Sequence, residues 1–179
     1  MTSTLTLAPA GTWQIDPVHS RIGFEVPYLA GTFKGEFRTV DATLAVDEDR
    51  ASLVGTADAT SVDVKDENLA AHLQSPDFFD VERHPELRFA AERIDLDDEH
   101  VTVSGELTIK GITRPVVVTG TVANPIVDAY GRDRIGLELR AGVDRTDFGL
   151  NWNIPLPTGE PALGNEVTIV ADVQLVKAA

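Results

Sequence analysis

Residues 101–110 alternate between apolar and polar side chains almost without fault. Val101, Val103, Gly105, Leu107 and Ile109 hold one phase, and Thr102, Ser104, Glu106, Thr108 and Lys110 hold the other. Successive side chains of a strand point to opposite faces, so the pattern dictates a strand with one buried and one wet face. The same period returns in Ile22, Phe24, Val26 and Tyr28, in Leu87, Phe89 and Ala91, along Arg114 to Val122, in Ile135 to Val143, and in Val167 to Leu175. Phe33, Gly35 and Phe37 open a further run that Val40, Ala42, Leu44 and Val46 continue on the opposite phase, which requires a bulge or a break near Thr39. An acidic turn, Asp47-Glu48-Asp49, leads into a return strand from Leu53 to Val64.

The reading is an all-β chain of about eight substantial antiparallel strands joined mostly by tight turns. An open sheet of that size leaves two edges, and the long strands hold few Pro or Lys residues to guard them, so closure into an eight-stranded barrel is favoured. A two-sheet sandwich buries one face of every strand equally well and shares the periodicity. Residues 63–80 lose the two-residue period and carry the one convincing helical segment. Leu69, His72 and Leu73 fall at helical spacing there, with Asp63 or Asp66 available as N-cap, and Pro85 ends the excursion. A short helical lid is therefore expected around residues 65–80, with the adjacent Phe78 and Phe79 pointing different ways, one anchoring the lid and one reaching the barrel mouth.

The chain has 179 residues, 42% of them hydrophobic, which is enough for one well-filled core. A flexible leader over residues 1–11 and one domain over 12–179 are expected. The net charge of −14, with no basic cluster to offset it, disfavours nucleic acid and anionic bilayer surfaces as partners. The absence of cysteine excludes disulfides, thiol nucleophiles and thiolate metal sites. The apolar content around Leu5 to Ala10 is too short and too diluted with Thr for a signal core or a spanning helix, so a cytoplasmic protein without stable membrane insertion is expected.

A barrel of eight strands either fills its interior with side chains or leaves room for one small ligand. Gly35, Gly105 and Ala141 fall on inward phases among Phe24, Phe33, Phe37, Phe89, Leu107 and Leu137 and would clear volume between them. The same residues equally make a solid core, as in a packed structural or stress-associated barrel. Catalytic signals are weak. Asp16, His19 and Ser20 lie together, but no G-x-S-x-G elbow surrounds Ser20, and Asp-Pro-x-His reads as readily as a capped turn. An enzyme using His19 as an acid-base group is the chemical alternative. His19, His72 and His84 match no metal-ligand spacing. Arg145 and Asp147 read as a loop-fixing ion pair, with Arg145 as a head-group contact as the functional alternative and Phe148 or Trp152 covering one barrel end. No residue is assigned as catalytic or metal-ligating.

The ordered set Trp13-Gln14-Ile15-Asp16, His19-Ser20, Gly31-x-Phe33, His72-Leu73, Asp77-Phe78-Phe79-Asp80, Gly105-Glu106-Leu107-Thr108-Ile109-Lys110-Gly111 and Arg145-x-Asp147-Phe148-Gly149 resembles the YceI-like family of polyisoprenoid-binding proteins. The resemblance covers almost the whole chain after Gly11. It implies an extended lipocalin-like antiparallel barrel that holds a hydrophobic small molecule, a long isoprenoid such as a polyprenyl quinone or a polyprenyl phosphate, and needs no cofactor. It also implies a homodimer for some members, and this chain resembles the unexported kind. The expected ligand wall is Phe24, Val26, Phe33, Phe37, Phe78, Phe89, Leu107, Leu137 and Trp152, with His19, His72 and Arg145 at the head group or mouth. Tyr28 stands where relatives often have His, and Leu69-Ala70 where they often have an Arg-Asp pair, so head-group recognition is expected to differ.

Overall fold

The computed structural model describes residues 8–48 and 50–178. Its strands are β1 (Gly11–Ile15), β2 (Arg21–Tyr28), β3 (Gly31–Phe37), β4 (Val40–Val46), β5 (Ala51–Asp58), β6 (Val62–Asp63), β7 (Glu86–Asp97), β8 (His100–Ile109), β9 (Ile112–Val122), β10 (Ile126–Val127), β11 (Asp133–Asp144) and β12 (Glu166–Lys177). One helix, α1 (Glu67–Gln74), lies between β6 and β7. The sheet runs β11-β9-β8-β7-β5-β4-β1-β12, and a further pairing of β12 with β11 closes these eight strands into a ring. This closure decides for a barrel over a sandwich.

The wall forks at β12. Along one edge β12 pairs with β11 from Arg134↔Val176 to Asp144↔Glu166. Its other edge is shared: β1 takes the C-terminal end, through Ile15↔Leu175, and β2 takes the N-terminal part, from Arg21↔Asp172 to Glu25↔Thr168. β1 hands the wall on to β4, whereas β2 hands it on to β3 and then β6. The phase change at Thr39 is accordingly a break between β3 and β4, held where Asp58 N donates to Thr39 O and Arg38 N donates to Ser61 O. Beyond Glu25, β2 has no β12 partner, which is why Pro27 is tolerated there.

The helical lid is α1, capped by Asp66, whose carboxylate accepts from Asn68 N and Leu69 N. The turns that follow it reach Pro85, which accepts from Ala59 N, and Lys110 Nζ donates to Pro76 O. Among the described residues, no helix is long and apolar enough to cross a membrane.

Two apolar clusters fill the barrel at different heights. The first is solid, with Trp13, Leu44, Ile94, Ile135 and Leu175 at 1% exposure or less. The second gathers Val26, Phe37, Leu73, Phe78, Leu107 and Phe148 at the end closed by α1. The expectation of a loose leader through Gly11 is corrected for residues 8–11, while Met1–Leu7 and Asp49 lie outside the described residues. Ala8 is buried in the first cluster, Trp13 Nε1 donates to Pro9 O at 3.0 Å, and Gly11 already pairs with Val46. Burying the indole required a carbonyl for its N–H, and the chain before β1 supplies it.

Gly35 and Gly105 do not clear volume. A Cβ on Gly35 would stand 2.6 Å from Phe24 Cζ, and one on Gly105 would stand 2.8 Å from Phe89 Cζ, so an aromatic ring already covers each. The Phe24 ring is hemmed in by Phe33, Phe37 and Phe79, with centroids 5.9–6.2 Å away. Gly35→Ala is therefore expected to cost about 1–3 kcal/mol by overpacking, read as a lower urea midpoint with unchanged slope.

The interruption between β1 and β2 is held by Arg134. Its Nη1 donates to Asp16 Oδ2 (2.8 Å) and Gln174 Oε1 (3.0 Å), and its Nη2 donates to Asp128 Oδ2 (3.1 Å). The hydrogen bond from Arg134, followed by that from His19, holds the Asp16 carboxyl well below the usual carboxylate range. At Asp128 burial pushes upward but is outweighed by the amides of Arg132 and Tyr130 and by Arg134, leaving it lowered to about 2. A depressed carboxylate stabilises the fold above its unfolded value, and that stability is lost as pH falls through the folded value. Arg134→Ala is expected to cost about 2 kcal/mol at neutral pH. Asp16→Asn is expected to flatten the loss of stability below about pH 4, as measured by urea unfolding across pH.

Candidate functional site

The upper half of the barrel encloses a cavity of about 390 Å³, equivalent to roughly a dozen waters by liquid volume and within the range of small-molecule sites. Its wall is almost wholly apolar. It lies above the fork, where β2 and β3 form the wall and side chains from the lid segment face them. Phe24, Val26, Phe33 and Phe37 reach it from β2 and β3. Phe89 and Leu107 face it across the β7–β8 ladder, and Phe78 and Trp152 close it from the lid and from the loop before β12.

Leu137 is a correction. It has the inward phase of β11, but it sits at the level of the solid cluster, 3% exposed, and does not touch the cavity. Ala141 is also buried in packing rather than on the wall. The glycine that does clear volume is Gly55. It lies between the inward Leu53 and Ala57 on β5, lines the cavity, and a Cβ there would meet only Asp41 O, at 3.8 Å. Sequence reasoning missed it; its inward phase between Leu53 and Ala57 was the available signal.

Phe78 and Phe79 diverge as adjacent residues must. Phe79 packs edge-on against Phe24 and Phe37, at 6.2 and 5.7 Å, while Phe78 meets Trp152 at 5.4 Å and the His72 ring at 5.0 Å. His72 stands perpendicular to Trp152 at 4.7 Å and hydrogen-bonds Asp77 Oδ2 through Nε2 at 2.9 Å. This aromatic triad joins the lid to the opposite loop.

Arg145 makes no ion pair with Asp147, which is exposed while Arg145 is 5% exposed. Its guanidinium instead donates to carbonyls of the following loop: Nε to Gly164 (2.8 Å), Nη1 to Leu150 (2.6 Å) and Trp152 (2.9 Å), and Nη2 to Leu163 (3.4 Å). Burial pushes its pKa down from the ordinary arginine value. Planar multidentate donation suits Arg for gathering an irregular loop. The carbonyls of Trp152 and Leu163 tie Arg145 to the triad and, through the Tyr28↔Leu163 bridge, to β2. Tyr28, His72 and Arg145 thus line the cavity where the lid segment, β2 and this loop meet.

His19 is not among them. Its Nδ1 lies 2.7 Å from Asp16 Oδ2, with its side chain 61% exposed, beside the Arg134 cluster on the outside of the barrel. Among the described residues no group of His, Cys, Asp and Glu is arranged to hold a metal ion.

A comparison with known proteins agrees with this architecture. A UPF0312 protein of Staphylococcus epidermidis is 32% identical over 170 residues, covering 90% of this chain and 95% of the relative. Protein YceI of Escherichia coli O157:H7 is 26% identical over 155 residues, covering 82% and 80%. The crystal structure of Burkholderia cenocepacia BcnA superposes with a TM-score of 0.78 at 22% identity, covering 89% of this chain and 98% of that one. A polyisoprenoid binding domain from Saccharophagus degradans superposes with a TM-score of 0.67 at 12% identity, covering 93% and 98%. The family model described as the YceI-like domain matches residues 13–175, from the buried Trp13 to the last buried residue of β12, and the chain belongs to the YceI-like family.

Proposed function

We propose that this protein carries or sequesters a long-chain hydrophobic molecule, a polyisoprenoid such as a polyprenyl quinone, and performs no chemistry on it. The observation that carries the reading is the apolar cavity of about 390 Å³, blocked at one end by the solid cluster around Trp13 and bounded at the other by the lid. Each methylene moved from water into such a space contributes about 0.8 kcal/mol, so a long chain needs no charged contact for tight binding. The tail would lie against Phe37, Phe89 and Leu107, and the head group would stay with Tyr28, His72 and Arg145. The polyisoprenoid binding domain from Saccharophagus degradans, which shares the fold, supports an isoprenoid as the ligand class.

A barrel packed for stability alone fits less well, since a larger side chain at Gly55 would gain dispersion contacts that the glycine forgoes. An enzyme using His19 also fits less well, because His19 and its Asp16 partner lie outside the chamber.

Organic extraction and mass spectrometry of protein purified without denaturant test the proposal. One polyprenyl species per chain is expected. Gly55→Phe is expected to keep the fold and to weaken uptake of a polyprenyl quinone roughly tenfold or more by occupying its space. An empty protein that also takes up neither polyprenyl quinones nor polyprenols would overturn the reading.

A further inference from the structure

The rim of the chamber differs in composition from the rest of the surface. Residues 26–33 carry no charged side chain and residues 148–165 carry one, Glu160, in a chain that is 25% charged. The fold puts these two segments side by side: Leu29 N donates to Ala162 O (3.0 Å), Ala162 N donates to Ile154 O (2.9 Å), and Tyr28 bridges to Leu163. Tyr28, Phe33, Trp152 and Leu163 of the same segments line the cavity. The uncharged rim is therefore continuous with the cavity wall.

Two large apolar side chains stand outward on this rim, Leu29 at 61% and Ile154 at 42% exposure. Leu29 also has a φ of 55°, a left-handed backbone that favours Gly or Asn and disfavours a bulky side chain. Neither local conformation nor packing explains a leucine there. A side chain that is strained and exposed at the mouth of an apolar chamber points to a role at an external interface.

We propose that this rim docks transiently on the surface of a bilayer with neutral head groups, placing the chamber mouth against the lipid so that a ligand can pass without crossing water. The inference rests on the reading of the chamber as a hydrophobic-ligand site, since such a ligand partitions into membranes rather than water. The charge of the molecule selects the surface: at −14 the protein is repelled by anionic lipid, and the rim offers no Lys or Arg to reverse this. The small apolar area, without a basic face, suits weak and reversible association.

Sedimentation of the full chain with phosphatidylcholine vesicles, without any isoprenoid, tests the docking by itself. The wild type is expected to co-sediment with these vesicles more than with vesicles containing phosphatidylglycerol. The double variant Leu29→Asn, Ile154→Asn is expected to lose roughly tenfold or more in partitioning. Asn tolerates the left-handed backbone, so the thermal midpoint is expected to be kept. Co-sedimentation that is absent, or unchanged in the double variant, overturns the proposal. So does a dimer in light scattering that the double variant dissociates, which would assign the rim to a second copy. Failure to bind isoprenoids would count against the ligand reading alone, because vesicle association is read without ligand.

Discussion

The structure depends on one strand carrying two neighbours on the same edge. β12 is paired with β11 over its full length, while its opposite edge is divided between β1 and β2. A strand pair can separate only where its backbone groups find other partners, because buried unpaired amides are costly. Here the break at Asp16–Ser20 is satisfied by the Asp16 cap on Val18 N, by Ser20 Oγ accepting from Gln174 N, and by Arg134 reaching across from β11. From that break the wall is built by different strands at different heights. Below it, β1 and β4 form this part of the wall and Trp13 lies in the solid cluster; above it, β2 and β3 form it and line the chamber.

The two halves resolve the apparent opposition between a packed interior and a ligand site, since each describes one height along the axis. In the lower half the aliphatic side chains interdigitate in the manner of any core. In the upper half the aromatic rings lean over the glycines of the neighbouring strand, as Phe24 does over Gly35, so the rings line the wall instead of crossing the space. Gly55 then leaves its part of the wall bare. Polar groups occur where the loop before β12 meets the lid, and Arg145 serves first to order that loop through four carbonyls. The same guanidinium borders the chamber, so the loop's architecture and the polarity of the mouth have a common origin.

Much of the wall was legible in the chain. Strict alternation dictated the long strands β8, β11 and β12, and the lapse of that period over residues 63–80 marked the lid, whose cap residue Asp66 was among the two candidates. The two-residue strands β6 and β10 were not legible, since such short segments carry no period. Eight of the nine expected wall residues stand on the cavity. Leu137 does not, because inward phase is a local property of a strand whereas height in the barrel depends on register against its neighbours. His19 was misplaced for a related reason: its partner Asp16 is held by Arg134, 118 residues away in sequence, and the two meet only through closure of the sheet.

The sequence by itself determined the all-β class, which face of each long strand turns inward, where the helix interrupts, and that the molecule would be strongly acidic. These follow from side-chain alternation, capping and charge, which act over a few residues. Only the tertiary structure decided that one glycine is covered by a ring and another open, that one inward leucine is core and another wall, and that an arginine beside an aspartate bonds carbonyls instead. Each of these outcomes depends on which strand lies next to which and at what register, and that information resides in pairings between distant segments.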